Sequence, residues 1–428
     1  MHAALYGPGG FYARGESPAR HFRTSVHVSP SYAAVIWELL RQVDAGLGHP
    51  ARIDLVDIGA GRGELLEQVL AAAEQGSAAQ SGGAETGGAP PIGCAPGAGC
   101  ALGTGGAPGA DSVPRADSVP GTGSAFGTGA VPGASRAPGA GAPGTDRAAA
   151  ARSAPGLGSS PRAGGAHGAS VARGLAGRIA ACAVEVAPRP TGLDPRIGWQ
   201  PALPAGITGL VIASEWLDNS PLDVVELTAA GPAVVQVDPA TGAERPGRPP
   251  HPADLAWVRV WWPLVACGDR AEVGRPRCEA WAEVIRQIDR GIAVAADYGH
   301  VKSARPTWGT LTGYLEGRAA APLPDGSRDI TAHVALDACA AAGAAAGADE
   351  TVLTTQRAAL QGLGLNARRP TLALATADPE RYARALGQAS VNAELVDAEG
   401  LGGFGWLVQA VGTCLPAPLA RLAVGDPG

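Results

Sequence analysis

Val56-Asp57-Ile58-Gly59-Ala60-Gly61-Arg62-Gly63-Glu64 is the stretch that decides the fold. It closes the apolar run Ile53–Ile58 and leads into Leu65, Leu66, Val69 and Leu70, whose spacing is helical. The order is strand, tight loop, helix. Gly59 permits the sharp turn, Gly61 lets a ligand approach the backbone, and Gly63 allows helix and strand to pack closely. A dinucleotide fingerprint needs G-x-G-x-x-G, but here the third glycine comes one residue early and Glu64 fills its place. A helix N-terminus attracts anions, so an acidic residue at its start suits a cationic or zwitterionic ligand better than a pyrophosphate. The plain alternative is a tight strand–helix turn with Asp57 in water.

Further elements lie on either side. Ser29 and Pro30 offer a cap and a first-turn proline to a helix carrying Tyr32, Val35, Ile36, Leu39, Leu40 and Val43, with Gly46 as its stop. Ile179–Val186, Leu210–Ser214 and Ile292–Ala296 read as short apolar strands of the parallel type. A helix with Trp281, Val284, Ile285 and Ile288 leads through Gly291 into the last of these. Asp329 is expected to cap a helix running into the Ala-rich stretch 334–346, and a final strand is expected at Gly405–Val411. Strands alternating with helices predict an α/β fold with a mainly parallel sheet, whose ligands bind beyond the carboxyl ends of the strands.

Residues 76–173 interrupt this pattern. They are almost entirely Gly, Ala, Pro and Ser, with an echo at Ala110–Pro114 and Ala116–Pro120 and Phe126 as the one aromatic residue. Such a segment cannot bury enough apolar area to offset an ordering entropy of about 1–2 kcal/mol per residue. It reads as a disordered insertion without chemistry. The expected organisation is an N-terminal helical, substrate-side segment (1–48), the first part of the α/β domain (49–75), the insertion (76–173), the rest of the domain with an added lobe at about 240–330 (174–415), and a tail (416–428).

Asp57, two residues before the first glycine, completes D-x-G-x-G-x-G. That pattern binds S-adenosylmethionine (SAM) in class I methyltransferases, where the acid meets the ligand's amino-acid end. A second acid is expected at the end of the next strand to hold ribose hydroxyls. Glu185 closes ACAVEVAP, and once the insertion is set aside it falls near the usual distance of roughly 20 residues. Its alternative is a strand-end carboxylate facing water.

Several stretches in register resemble one family. Ala4-Leu5-Tyr6-Gly7-Pro8-Gly9-Gly10-Phe11-Tyr12 and Phe22-Arg23-Thr24-Ser25 are similar to the N-terminal signature of the MidA-type methyltransferases, relatives of the mitochondrial complex I assembly-factor arginine methyltransferase. Ala213-Ser214-Glu215-Trp216-Leu217-Asp218-Asn219-Ser220-Pro221-Leu222 resembles a strand end of that family, with Ser214 in place of the usual Asn and Asn219-Ser220 in place of Ala-Leu. Ala296-Asp297-Tyr298-Gly299-His300, Gly309-Thr310-Leu311-Thr312-Gly313-Tyr314 and Asp329-Ile330-Thr331-Ala332-His333-Val334 follow in the family's order. The resemblance implies a class I, Rossmann-like methyltransferase domain with an added helical lobe, and SAM as cofactor. It implies that Asp57, Gly59, Gly61, Gly63 and Glu185 hold SAM, with Asp297 on the same rim. Glu215 and Asp218 would face the methyl and a protein arginine as acceptor. Alternatively, Glu215 and Asp218 cap a helix or act on SAM indirectly, the acceptor is a small molecule, or the chain is a SAM-binding assembly factor without catalysis.

Other function classes are disfavoured. The formal net charge of −6 is small, the basic residues are scattered, and Lys302 is the single lysine, so nucleic acid is an unexpected partner. The eight histidines form no H-x-H or H-E-x-x-H arrangement and the seven cysteines no C-x-x-C, so no metal site is expected. No G-x-S-x-G elbow suggests hydrolase chemistry. His300 and His333 serve equally well as structural imidazoles or substrate contacts, and Trp257, Trp261 and Trp262 suit packing between lobes. Neither a signal peptide nor an apolar run of about 18 residues is present, so a cytoplasmic protein without a membrane partner is expected.

Overall fold

The computed structural model describes residues 1–12, 24–81 and 174–424. Residues 82–173 of the insertion, the motif residues Phe22 and Arg23, and the last four residues of the expected tail lie outside this set. The fold class is the expected one: a mixed α/β, Rossmann-like domain with a mainly parallel sheet.

After the short helices α1 (His2–Tyr6) and α2 (Ser25–Val28), seven strands form the central sheet: β1 (Ile53–Ile58), β2 (Ile179–Val184), β3 (Gly198–Gln200), β4 (Ile207–Ser214), β5 (Ile288–Asp297), β6 (Glu350–Thr355) and β7 (Gly405–Val411), with helix α3 (Pro30–Gly46) ahead of β1. Their order is β6-β7-β5-β4-β1-β2-β3. The five strands from β5 to β3 run parallel, while β7 lies antiparallel to both β5 and β6. Strand order reverses at β1, which pairs with β2 on one side and β4 on the other. A crevice beyond the carboxyl ends of β1 and β4 follows from that switch.

Both faces of the sheet are covered, as a parallel sheet requires. On one face Ile53, Leu55, Leu210, Ile212, Ile292, Val294, Trp406 and Val408 pack against α3 (Pro30–Gly46) and α4 (Glu64–Ser81). On the other, Val56, Ile58, Val211, Ala213, Ala293, Ala295 and Leu407 meet α6 (Arg275–Arg286) and α7 (Leu336–Ala346). This is the period of two written along each strand. Ser29 caps α3 by accepting from the Ser31 amide, 3.1 Å away, with Pro30 in the first turn as predicted.

Several elements depart from the sequence reading. β5 begins at Ile288, so Gly291 lies within the strand, where it pairs with Gly209 of β4. Asp329 caps no helix: it opens a short strand, Asp329–Thr331, while α7 starts at Leu336 with no side-chain cap. The segment between β4 and β5 contains the helix α5 (Pro252–Trp261) and, in addition, a four-stranded antiparallel sheet spanning residues 224–272. No helix among the described residues is long and apolar enough to cross a membrane.

Candidate active site

The floor of the crevice is the loop from β1 to α4. Gly59, Gly61 and Gly63 have φ of +68°, +59° and +86°, a left-handed run that L side chains resist. Their surroundings differ. A Cβ on Gly59 would lie 2.9 Å from Trp216 Cδ1, and one on Gly63 would lie 2.7 Å from Leu193 Cδ1. A Cβ on Gly61 would meet nothing nearer than Glu64 Oε2 at 3.9 Å, so this glycine faces open space. Gly59 and Gly63 are thus hemmed in by side chains, while Gly61 is not.

Three acids surround the loop. Glu185, just beyond β2, accepts from the Gly61 amide at 3.1 Å and from the Ala187 amide at 3.0 Å. Glu64 accepts from the Arg62 amide at 3.0 Å and lies 3.6 Å from His27 Nε2. Asp57, on the last turn of β1, is buried, and burial followed by the charges of Glu64 and Glu185 pushes its carboxyl up to about 8. Three carboxyls around one loop repel each other and favour a cationic ligand.

The exit of β4 forms the opposite wall. Glu215 adopts φ +52°, an uncommon conformation for a residue with a side chain, while its amide donates to Ala296 O of β5 at 2.8 Å. Its carboxylate is half-buried and accepts from the Ser25 amide at 3.4 Å. Burial, then Asp218 and Asp329, raise it to about 8, against the pull of the Ser25 amide. Asp297 is 0% exposed and its Oδ2 accepts from the amides of Leu217 and Asp218 at 3.0 and 3.1 Å. It shapes the β4 exit from behind instead of standing on the open rim.

Asp218 lies deeper, within a cluster of hydroxyls. Its Oδ2 accepts from Tyr298 OH and from Thr331 Oγ1, the latter at 2.7 Å, while Oδ1 is buried without a partner among the described residues. Tyr12 OH donates to Asp329 at 3.1 Å, Tyr6 OH donates to Asn219 O at 3.3 Å, and the two tyrosine rings stack 5.4 Å apart. Burial, then Asp218, raises Asp329 to about 7. His333 packs edge-on to Tyr298 at 5.4 Å, and burial followed by the Arg277 charge pushes it down to about 4. His300 lies beside it, with a buried Nε2 that has no partner among the described residues. The N-terminal residues 1–12 thus close one side of the acid cluster, anchored by Leu5 and Phe11 against Ile330.

The structure brings Asp57, Gly59, Gly61, Gly63 and Glu185 to one side of the crevice and Glu215 and Asp218 to the other. Trp216, against Gly59, joins the two. Sequence reasoning assigned no role to Tyr6, Tyr12, Ser25, Tyr298 or Thr331, and read Asp329 as a cap. All six fall in the family-like motifs, which was the available signal. Arg277 had none: a lone arginine on a helix reads as solvated.

Residues 173–354 match a family described as "Putative S-adenosyl-L-methionine-dependent methyltransferase". Two solved structures from Burkholderia thailandensis are similar in fold. One, described as a "likely methyl transferase" bound to S-adenosyl-homocysteine, has a TM-score of 0.61 at 20% identity, covering 97% of this chain and 87% of that one. The other, described as uncharacterized, has a TM-score of 0.62 at 22% identity, covering 98% of this chain and 88% of that one. At such identity the likeness carries the fold. No curated protein matches the sequence.

Proposed function

We propose that the protein is a SAM-dependent methyltransferase of the MidA type whose acceptor is a protein arginine. The observation that carries the reading is the loop at the switch point: Gly61 faces open space between Asp57, Glu64 and Glu185. These residues fit SAM, whose ammonium and sulfonium would relieve the repulsion among the acids. Asp57 would hold the amino-acid end and Glu185 the ribose hydroxyls. The matched family and the S-adenosyl-homocysteine carried by the similar structure support the same cofactor.

SAM supplies a methyl group already activated by the sulfonium charge, so the chain's task is to align the acceptor and exclude water. Glu215, half-buried opposite the glycine loop, would grip a guanidinium by charge-assisted hydrogen bonds and point one nitrogen at the methyl. A guanidinium is fully protonated near neutral pH and its lone pairs are delocalised, so orientation governs its reactivity. Burial, and after it the charge of Asp218, holds the carboxyls of Glu215 and Asp329 high, and a bound cation would favour their ionised forms.

Two measurements test the reading. S-adenosyl-homocysteine at about 100 times its Kd should stabilise the fold by about 2.7 kcal/mol; a melting temperature moved by NAD and not by S-adenosyl-homocysteine would overturn the cofactor. Labelled methyl from SAM should enter the protein fraction of a cell lysate, on arginine. Label in the small-molecule fraction, or binding without any transfer, would replace the protein-arginine reading.

A further inference from the structure

Arg277 of α6 is among the most deeply buried polar side chains, 1% exposed. Its guanidinium spends its donors on backbone carbonyls of two separate segments. At the β4 exit, Nε donates to Ser220 O at 3.2 Å and Nη2 to Asp218 O. In the stretch before α7, Nη1 donates to Ala332 O at 2.9 Å and to His333 O at 3.0 Å. A planar fork with five donors can serve four carbonyls at fixed angles, which an ammonium cannot.

The two segments carry the polar groups of the acid cluster. The first bears Asp218, and the second adjoins Thr331, whose hydroxyl donates to Asp218 at 2.7 Å and lies 2.7 Å from Tyr298 OH. The backbone bonds of Arg277 therefore join the same two segments that the side-chain bond from Thr331 to Asp218 joins. Without them, the bond from Thr331 to Asp218 and the bridge between the two through Tyr298 OH would have to hold the segments in register.

We infer that Arg277 is a positioning residue that locks residues 218–220 to residues 331–333 and so fixes the acid and hydroxyl cluster on the acceptor side of the crevice. Its role toward the acceptor rests on the methyltransferase reading; the coupling of the two segments does not.

The full-length chain is compared with Arg277→Lys and Arg277→Met in three measurements. In amide hydrogen exchange, peptides covering 217–221 and 329–335 should lose protection together, by at least about tenfold, while those of β1 and β5 keep theirs. In calorimetry with S-adenosyl-homocysteine, the variants should keep one site per chain with Kd within about threefold of the parent. In transfer of labelled methyl from SAM to a desalted lysate protein fraction, KM for SAM should stay within about threefold while kcat per S-adenosyl-homocysteine site falls at least about tenfold, more in Arg277→Met than in Arg277→Lys. Protection that is unchanged, or lost evenly across the sheet, would overturn the inference, as would an unchanged kcat per site. If Arg277→Met does not fold, Arg277→Lys decides. If the parent chain neither binds S-adenosyl-homocysteine nor transfers methyl, the methyltransferase reading falls and hydrogen exchange alone decides the coupling.

Discussion

The Gly61 amide donates to the Glu185 carboxylate across 3.1 Å, tying the loop after β1 to the end of β2. The bond crosses 124 positions of sequence, including all the residues between the two described parts of the domain. A ligand with vicinal hydroxyls would compete for the same oxygen, so Glu185 links loop shape to ligand binding. Hydrogen bonds to a charged group are worth about 1.5–3 kcal/mol. Glu185→Ala should therefore weaken S-adenosyl-homocysteine binding by about tenfold to a hundredfold, and Glu185→Gln by less. Calorimetry checks this, and affinity unchanged in Glu185→Ala would mean that the acid serves the loop alone.

Gly61 and Gly63 allow a controlled comparison. Both have positive φ, so replacement by alanine should destabilise each by about 1–2 kcal/mol. The new methyl at 63 would press on Leu193, away from the opening, whereas the one at 61 would occupy the open side of the loop. Gly61→Ala should then lose at least about tenfold in S-adenosyl-homocysteine affinity, and Gly63→Ala less than about threefold. Equal losses in the two variants would show that loop strain, and not ligand approach, explains the glycine at 61.

How legible the protein is from its residues depends on the kind of element. β1, α3 and β7 could be read to within a residue or so, because each writes a clear period and, for α3, a capping serine and a proline. The 224–272 sheet was missed: strands such as Glu244–Pro246 are short, exposed and held by pairing instead of by a buried face. Asp329 misled because acid before an Ala-rich run imitates a cap, whereas burial beside Tyr12 is a tertiary fact. The glycine loop is local and could be read directly, whereas Glu185 reaches it from 124 positions away. The cluster around Asp218 is assembled from residues 6, 12, 215, 218, 298 and 331, and no window of sequence contains that encounter.

Stability should fall as pH rises from about 6.5 to 8. Asp57 and Glu215 are raised to about 8, well above the ordinary carboxylate range. In this window the folded protein holds protons that the unfolded chain has released, so raising the pH favours unfolding by up to about 1.4 kcal/mol per unit for each group. His300 and His333, pushed down to about 2 and 4, contribute the opposite slope, but only below their ordinary value of 6.5. The window above that value leaves the carboxyls opposed by the N-terminal amine of Met1, which burial lowers from its ordinary value of 8.0. Melting temperature of the ligand-free protein should decline across it, and Asp57→Asn should flatten the decline. A flat profile in the parent chain would show that these acids are already ionised.

Glu215→Gln is the decisive change for the acceptor. It keeps size and hydrogen-bonding capacity while removing the charge that would hold a guanidinium. Glu215 takes no part in the glycine loop: its carboxylate meets the Ser25 amide and its own amide meets Ala296. S-adenosyl-homocysteine affinity should therefore stay within about threefold. The substitution should leave the ligand-free fold about as stable at neutral pH, since burial and Asp218 already disfavour the ionised form there. Methyl transfer to protein arginine should nonetheless fall at least about tenfold, or 1.4 kcal/mol of barrier. The combination of intact binding, intact stability and lost transfer separates a group that orients the acceptor from one that supports the loop or the fold. Transfer at the parent rate in Glu215→Gln, or label recovered on lysine, a carboxylate or a metabolite, would remove the arginine assignment and leave the cofactor site standing.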